Sequence, residues 1–400
     1  MKLKLLDKNE NSAIILAGIL SLIVGVGISR FVFTSLLPFM LKDYLSVTLT
    51  GLLASSNYFA YFAGSIVAIF IQDIHFKIKF FRFGLLLCLI ATFILGLSHN
   101  EFFWFSSRVL AGFGSAMALV VGSSLVMTKL NMKNKTKAMG IHFSGIGFSI
   151  FLPDILVKIT HKFGFTWEQT WIILALVGVI LSIYCIYVLS FEKKKEKELQ
   201  DKTSRFSFDK SIFSSFVVIL IFAYFTEGIA MVVQATFLPD IINNIKGLEG
   251  FGALTWNLAG FAGIFTCIIW LRLAHKFGSI NIIILAMLVQ AVGILLPTLS
   301  SNLYLNVLGG LLYGGTFVGL VGLFLNLGGQ IAYKNPLVLM GALTSAYGIG
   351  QVSAPLYSVI LIKHFHSYNE ALILTACILG IGILSLVLAK KKFGKKYKSF

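Results

Sequence analysis

Four ionisable side chains lie within long apolar stretches of this sequence: Arg30, Arg108, Asp154 and Glu227. Because a charge is costly to bury in the interior of a membrane, each of them is a candidate functional residue. A guanidinium group stays protonated in such a place and can bind an anionic group of a solute. A carboxyl group that is removed from water favours its protonated form, so it can carry a coupled proton.

A simpler interpretation is that these charges pair with one another and hold helices together. Arg108, near the end of its stretch, can also bind backbone carbonyl oxygens, and Asp154, which follows Pro153, can lie at the outer interface. We favour a functional role for Arg30 and Glu227. Glu227 is the first candidate for carrying a proton, and Asp154 is the next.

The elements that must position these residues are long apolar segments. Hydrophobic residues make up 57% of the chain and charged residues 12%, which excludes an ordinary soluble surface. A membrane-spanning helix needs about 20 mostly apolar residues, and these stretches lack the alternation of barrel strands. The sequence therefore predicts an all-α polytopic membrane protein with twelve transmembrane helices. They cover roughly 13–40, 50–72, 81–98, 102–128, 137–159, 168–191, 211–238, 250–273, 280–299, 302–327, 337–362 and 369–390.

The twelve stretches form two copies of one pattern. Leu36-Leu37-Pro38 corresponds to Phe237-Leu238-Pro239, and Met139-Gly140 corresponds to Met340-Gly341. Many secondary transporters are built from such parallel repeats and bind solute between the halves, near the middle of the bilayer. We therefore predict two six-helix bundles around one central cavity. The predicted parts are an N-terminal bundle at 1–191, a charged cytoplasmic linker at 192–210, a C-terminal bundle at 211–390 and a basic cytoplasmic tail at 391–400.

The repeat also predicts which residues share the cavity. It places Glu227 opposite Val26, one helical turn before Arg30, so we expect Arg30 and Glu227 to face the same central space. Uncharged polar residues in the spans are weaker candidates, because each can instead form a hydrogen bond between helices. The candidate substrate-binding residues are Arg30, Phe33, Thr34, Asn57, Tyr61, Arg108, Gln234, Trp256, Asn257, Asn326, Tyr347 and Gln351, and the candidate proton-coupling residues are Glu227 and Asp154.

The net charge of +17 is distributed unevenly across the predicted membrane. Of the 33 Lys and Arg residues, 26 fall on the side of the two termini and five on the opposite side. Because cytoplasmic loops carry the Lys and Arg excess, we expect a plasma (inner) membrane protein with both termini and the central linker in the cytoplasm. The basic tail can also bind acidic lipid headgroups. Nothing in this pattern indicates a nucleic-acid partner.

Motifs of enzymes, metal sites and nucleotide sites are missing from the sequence. The four cysteines lie in separate apolar stretches, where packing is their usual role. No His, Cys and carboxylate cluster has metal-ligand spacing, and no phosphate-binding loop or GxSxG occurs. We therefore expect no enzymatic activity, no cofactor and no metal. The expected partners are a small solute, a proton and membrane lipid, and we expect a monomer. The cysteines are Cys88, Cys185, Cys267 and Cys377.

Four segments resemble the major facilitator superfamily. Arg108-Val-Leu-Ala-Gly112-Phe-Gly114-Ser-Ala116 is similar to its R-x-x-x-G-x-G-x-A motif, and Gly27 to Met40 is similar to the first span of its YbfB/YjiJ branch. Thr236 to Pro239 and Tyr347 to Pro355 resemble the seventh and eleventh spans of that branch. The resemblance covers the whole chain. It implies the two-bundle fold, alternating access and usually a coupled proton, and it says little about the substrate.

The chain departs from the superfamily pattern at the cytoplasmic gate. Gly64 and Asp73 are too far apart for the usual motif between spans two and three, and His275 stands in the second copy where an acid is expected. Asn306 occupies the position that repeats Arg108, so that charge is used in one half only.

The sequence thus predicts a secondary active transporter of a small organic solute, coupled to a proton, with an organic anion as the class that Arg30 favours. Two alternatives stay open. The 14% aromatic content can line a permissive pocket for efflux of amphipathic drugs, although lipid exposure of Phe explains much of it equally well. The other alternative is a membrane sensor that has the same fold and moves no solute.

Overall fold

The computed structural model describes residues 10–71, 73–130, 135–190, 214–332 and 336–393. Within these ranges it has twelve helices that are long and apolar enough to cross a membrane. They are α1 (Asn11–Asp43), α2 (Val47–Phe70), α3 (Ile74–Leu97), α4 (Glu101–Lys129), α5 (Ala138–Lys162), α6 (Trp167–Leu189), α7 (Ser215–Asn243), α8 (Gly252–Phe277), α9 (Ser279–Leu299), α10 (Leu303–Ile331), α11 (Leu339–Phe365) and α12 (Asn369–Phe393).

The predicted number and order of the helices are confirmed, and several ends differ from the prediction. The largest difference is at α3, which begins at Ile74 rather than near residue 81. There the Asp73 carboxylate accepts hydrogen bonds from the backbone N–H groups of His75 and Phe76, at 2.8 and 3.1 Å. Such an N-cap satisfies donors that have no partner within the helix, and it makes the basic segment before residue 81 helical.

Two parts of the predicted domain plan lie outside the described residues. They are the whole charged linker at 192–210 and residues 394–400 of the basic tail. α12 continues to Phe393, beyond the predicted end at 390. The division into two bundles with a linker between them stays a prediction at these boundaries.

α1 and α4 each contain a π-helical segment, Ile23–Phe31 and Met117–Val121. π-Turns are rare and are common at functional sites. Arg30 lies in the last turn of the first segment, where the backbone N–H of Val32 donates to the carbonyl of Gly27. The side chains of this segment are all buried. The π-turn therefore lies in the part of α1 that carries the buried charge.

The two halves of the chain pack through four pairs of helices: α5 against α8, α5 against α10, α2 against α11, and the C-terminal part of α1 against α7. Small residues allow the closest approach. At Gly147 an added Cβ would lie 2.2 Å from the backbone nitrogen of Ile264 on α8. We call the face where α1 ends and α2 begins the outer face, after the orientation that the charge distribution predicts.

Two adjacent glycines on α10 provide a matched test of helix packing. A Cβ at Gly314 would lie 2.0 Å from the carbonyl oxygen of Ala259, whereas a Cβ at Gly315 would meet nothing closer than 3.9 Å. We expect Gly314→Ala to destabilise the protein by about 1–3 kcal/mol, because α8 must move away from α10. Gly315→Ala is expected to be neutral or slightly stabilising. Thermal unfolding of the purified variants measures both, and equal melting temperatures would contradict this packing.

Candidate substrate site between the two halves

Arg30 lies buried near the middle of α1 and bridges the two halves of the chain. Its Nη2 donates a hydrogen bond of 3.2 Å to Oε1 of Gln351 on α11. Its guanidinium carbon lies 4.5 Å from the centre of the Tyr58 ring and 4.4 Å from that of Tyr61. These rings are three residues apart on α2, so one face of that helix presents both to the cation. The site thus combines residues of α1, α2 and α11.

Arg108 lies beside this group, on α4. Its guanidinium carbon is 4.6 Å from the ring centre of Phe33, and its Nη1 donates a hydrogen bond of 3.0 Å to the carbonyl oxygen of Ser29. The sequence left open that Arg108 binds backbone carbonyl oxygens, and this hydrogen bond is such a contact. Arg30 is also near enough to interact electrostatically with Arg108. Two positive charges therefore lie close together between the halves.

The glycines of the Arg108 motif explain how this arginine reaches the site. A Cβ at Gly112 would lie 2.0 Å from the carbonyl oxygen of Asn57, and a Cβ at Gly114 would lie 2.6 Å from that of Gly84. The absence of side chains lets α2 and α3 approach α4 closely. In this contact the Asn57 amide donates a hydrogen bond of 2.8 Å to the carbonyl of Arg108. Asn57 therefore positions α4.

Within the described residues, neither buried arginine has an acidic partner. In the described part of the chain, ion pairs join Lys158 to Asp154 and His99 to Glu168, and Arg30 and Arg108 take part in none. The Nε–H groups of both arginines are buried and donate no hydrogen bond to the described residues. The simpler interpretation, in which the intramembrane charges neutralise one another, is therefore not met for these two residues.

Glu227 lies fully buried on α7, and its carboxyl oxygens make no hydrogen bond of normal length. The side chain that interacts with it is the amide of Gln290 on α9, which is also fully buried. Glu227 therefore interacts with α9 and forms no ion pair with Arg30. That the two residues face one cavity stays a prediction.

Asp154 is paired rather than free. Its Oδ2 lies 2.9 Å from Nζ of Lys158, one turn later on α5, and Nζ also donates a hydrogen bond of 3.0 Å to the carbonyl of Ala253 at the start of α8. Nearby, the Asn257 amide donates to the carbonyl of Phe151 at 3.3 Å. These contacts join α5 to α8 towards the outer face, in agreement with the outer position suggested for Asp154.

The remaining predicted residues divide between the site and the helix contacts around it. Thr34 and Trp256 join the halves near the outer face, through hydrogen bonds to the carbonyl of Ala235 and to the hydroxyl of Ser35, the latter at 3.1 Å. Gln234 donates to the carbonyl of Gly293 on α9 at 3.4 Å. Asn326 is half-buried near the inner end of α10.

Tyr347 connects the two charged regions. Its ring stacks on that of Tyr224, with 4.5 Å between the ring centres, and its buried hydroxyl has no hydrogen-bond partner. Both Arg30 and Glu227 are close enough to act on it electrostatically. Tyr347 is therefore the predicted residue that lies between the arginine region and the carboxyl region.

Gln290 was missed by the sequence-based selection. Apart from Asn281 near the start of α9, it is the only amide side chain of that helix, so the rule that polar residues in spans are noteworthy could have found it. Tyr58 was not among the candidate substrate-binding residues, although its spacing from Tyr61 at i and i+3 places both rings on one face.

A separate cavity of about 770 Å³ opens at the outer face of the second half. The ends of α7, α9 and α11 line it, together with the turn before α12, and Asp240, Lys363 and Tyr368 are among its residues. Within it the Tyr368 hydroxyl donates a hydrogen bond to the Asp240 carboxylate. Arg30 does not line this cavity, so its volume says nothing about the capacity of the site between the halves.

Comparisons with known proteins agree with this architecture. Residues 22–387 match a family model described as "Uncharacterised MFS-type transporter YbfB". The chain is 26% identical over 159 residues to the multidrug efflux pump SdrM of Staphylococcus aureus, a match that covers 40% of this chain and 35% of the pump. It therefore spans about a third of that relative's length.

The structural similarity is more extensive than the sequence similarity. The crystal structure of a mutant of the nucleoside transporter NupG matches with a TM-score of 0.68, over 95% of this chain and 100% of that one, at 11% identity. At that identity the match shows the fold alone. Since the family model covers nearly the whole chain, the predicted resemblance is confirmed: the chain belongs to the YbfB-type family of multi-pass transporters in the major facilitator superfamily.

Proposed function

We propose that this protein is a secondary active transporter that moves a small organic anion by alternating access, coupled to a proton. The observation that carries the proposal is the pair of buried guanidinium groups with no acidic partner in the part of the chain that the structure describes. Removing a charge from water costs several kcal/mol unless an opposite charge or hydrogen bonds compensate. Arg30 donates a hydrogen bond to the neutral amide of Gln351 and lies against the rings of Tyr58 and Tyr61. An anionic solute supplies the missing charge.

The position of Arg30 suits alternating access. Its hydrogen bond to Gln351 joins α1 of the first half to α11 of the second. A solute carboxylate that binds the guanidinium through two hydrogen bonds competes with Gln351 for the same donor. Solute binding thus changes a contact between the halves, and contacts between the halves must change when access alternates. The faces of Tyr58 and Tyr61 favour a solute that has an apolar or planar part next to its anionic group.

The proposal also needs a residue that carries the coupled proton, and a carboxyl group without a cationic partner suits that role. Asp154 is held by Lys158, whereas Glu227 is fully buried and forms no ion pair. A carboxyl in such a setting favours its neutral form, so taking up and releasing a proton is the change that it can make most readily. We therefore assign the coupled proton to Glu227 and keep Asp154 as the second candidate.

Flux measurements test the proposed function. The purified protein, reconstituted in vesicles with an imposed pH gradient, is screened with small monocarboxylates, dicarboxylates and aromatic carboxylates. We expect accumulation of at least one of these anions, and its loss when the pH gradient is collapsed. Binding without flux under any gradient would instead indicate a sensor that has kept the fold.

Efflux of amphipathic drugs is the second candidate function. The aromatic rings around Arg30 and the partial match to the multidrug efflux pump SdrM favour it. Export of cationic drugs needs no arginine in the site, since a buried guanidinium repels them. Drug resistance of cells that express the protein, unchanged by Arg30→Gln, would therefore support efflux and contradict the anion site.

We further propose that both termini lie in the cytoplasm, with the outer face outside the cell. In a Cys377→Ser background, which removes the one exposed cysteine among the described residues, a cysteine at Lys246 is expected to react with a membrane-impermeant maleimide on intact cells. A cysteine at Lys129 is the matched control and should react only after permeabilisation, because the excess of positive charge marks that side as cytoplasmic. The reverse pattern would invert the topology.

A further inference from the structure

The second half of the protein contains a buried polar group that is separate from the arginines. The two carboxyl oxygens of Glu227 and both the nitrogen and the oxygen of the Gln290 amide are buried without a hydrogen bond of normal length. Leaving a buried polar atom unpaired costs about 1–3 kcal/mol. These four atoms can all form hydrogen bonds with one another when the carboxyl is protonated. The carboxyl O–H then donates to the amide oxygen, and the other carboxyl oxygen accepts from the amide nitrogen.

We infer that Glu227 and Gln290 together form a proton-binding site between α7 and α9, with Gln290 as the positioning residue for the Glu227 proton. The inference deepens the proposed function, on which it rests for the role of Glu227 in coupling. It also places the proton on α7 and α9, two helices of the second half, rather than on the helices that carry the arginines.

The surroundings of Glu227 support a site for one proton rather than an ion pair. Three titratable groups interact electrostatically with Glu227. They are the phenols of Tyr224 on α7, Tyr313 on α10 and Tyr347 on α11. α9 has no charged residue, and the charged residues of α12 lie near its two ends. On α1 and α8, the nearest groups in this network are Arg30 and Cys267, which act on the tyrosines rather than pairing with Glu227.

The proton site and the anion site meet on α7. Met231 follows Glu227 by one helical turn, and its sulfur accepts a hydrogen bond of 3.7 Å from Nε2 of Gln351, whose Oε1 accepts from Arg30. The hydroxyl of Tyr313 donates to the carbonyl of Met231 at 2.8 Å. An anion that draws Arg30 away from Gln351 therefore changes a contact of α7 one turn from Glu227. This gives an indirect route from solute binding to proton binding, with no contact between solute and carboxyl.

Infrared difference spectroscopy tests the site with the proton itself as the ligand. The protein is reconstituted in vesicles, and spectra are recorded as the pH is changed, without any solute. We expect the carbonyl stretch of a protonated, hydrogen-bonded carboxyl in the wild type, and its loss in Glu227→Gln. In Gln290→Leu the band should move to higher frequency, because the carboxyl loses its hydrogen-bonding partner, and its titration midpoint should shift by about one pH unit.

Two further variants separate positioning from general structure. Gln290→Asn retains an amide and should return the band and the midpoint part of the way to the wild-type values. Thr298→Val removes a half-buried hydroxyl that bonds within α9 and should change neither. All variants are first shown to be monodisperse after purification.

The inference is overturned if Gln290→Leu keeps the band and the midpoint of the wild type, or if Glu227→Gln retains the band. Its failure is distinguishable from that of the proposed function. Vesicles that accumulate an organic anion while Gln290→Leu titrates normally would overturn only the pairing. A normal Glu227 band in a protein that moves no anion would support the site and reject the transport function.

Discussion

Arg30→Gln is expected to weaken the binding of the transported anion by about 30- to 3,000-fold. Removing one partner from a buried, hydrogen-bonded charge pair costs about 2–5 kcal/mol, and each 1.4 kcal/mol is a factor of ten in affinity. Gln351 then also loses the cation that it contacts at 3.2 Å. The effect should appear in the affinity for the anion, measured by displacement of a labelled substrate from the purified protein.

Arg30→Lys separates charge from geometry at the same position. Lysine retains the positive charge but lacks the planar fork that binds a carboxylate through two hydrogen bonds, so an intermediate loss of affinity is expected. Arg82→Lys is the control, because this guanidinium lies near the inner end of α3 and its Nε donates to the Ser190 hydroxyl at 2.9 Å. If Arg30→Gln and Arg82→Lys bind the anion equally well, Arg30 is not a substrate ligand.

Glu227→Gln is expected to abolish accumulation driven by a pH gradient. A gradient of one pH unit is worth about 1.4 kcal/mol per proton, which supports about tenfold accumulation of the solute. Glutamine has nearly the same shape as a protonated glutamate but cannot release a proton, so the internal anion should only reach its equilibrium level. Exchange of internal for external anion should continue within about twofold of the wild-type rate, since it needs no net proton movement.

The control for this prediction is Glu249→Gln, because the Glu249 side chain is exposed in the segment between α7 and α8. That variant should accumulate the anion as the wild type does. Accumulation by Glu227→Gln with an unchanged pH dependence would assign the proton elsewhere. Asp154→Asn is then the next variant to measure, although the pairing of Asp154 with Lys158 makes it the weaker carrier.

The twelve helices could be predicted from the sequence because each is a local property of the chain. An apolar run of about 20 residues satisfies its own backbone only as a helix when it lies in lipid, whatever its neighbours are. The prediction failed only at helix ends such as that of α3, where a single capping side chain, Asp73, decides the boundary. Capping depends on the geometry of a few atoms and leaves little trace in average hydrophobicity.

The candidate charges were also predictable, because an ionisable residue in an apolar run is conspicuous. The sequence identified Arg30 and Arg108 as buried cations. It could not show that neither arginine has an acidic partner. Pairing depends on distances between helices that are far apart in the chain, as between Arg30 and Gln351.

Only the tertiary structure decided the direction in which each helix turns its polar face. Helical periodicity places Glu227, Met231 and Gln234 on one side of α7, but rotation of α7 about its own axis determines which helix that side meets. Close packing determined it: Glu227 faces Gln290 on α9, and Asp154 stays with Lys158 at the contact of α5 with α8. Sequence alone determined the helices and their charges, since those are local, whereas the partners of the charges depend on the packing of the whole molecule.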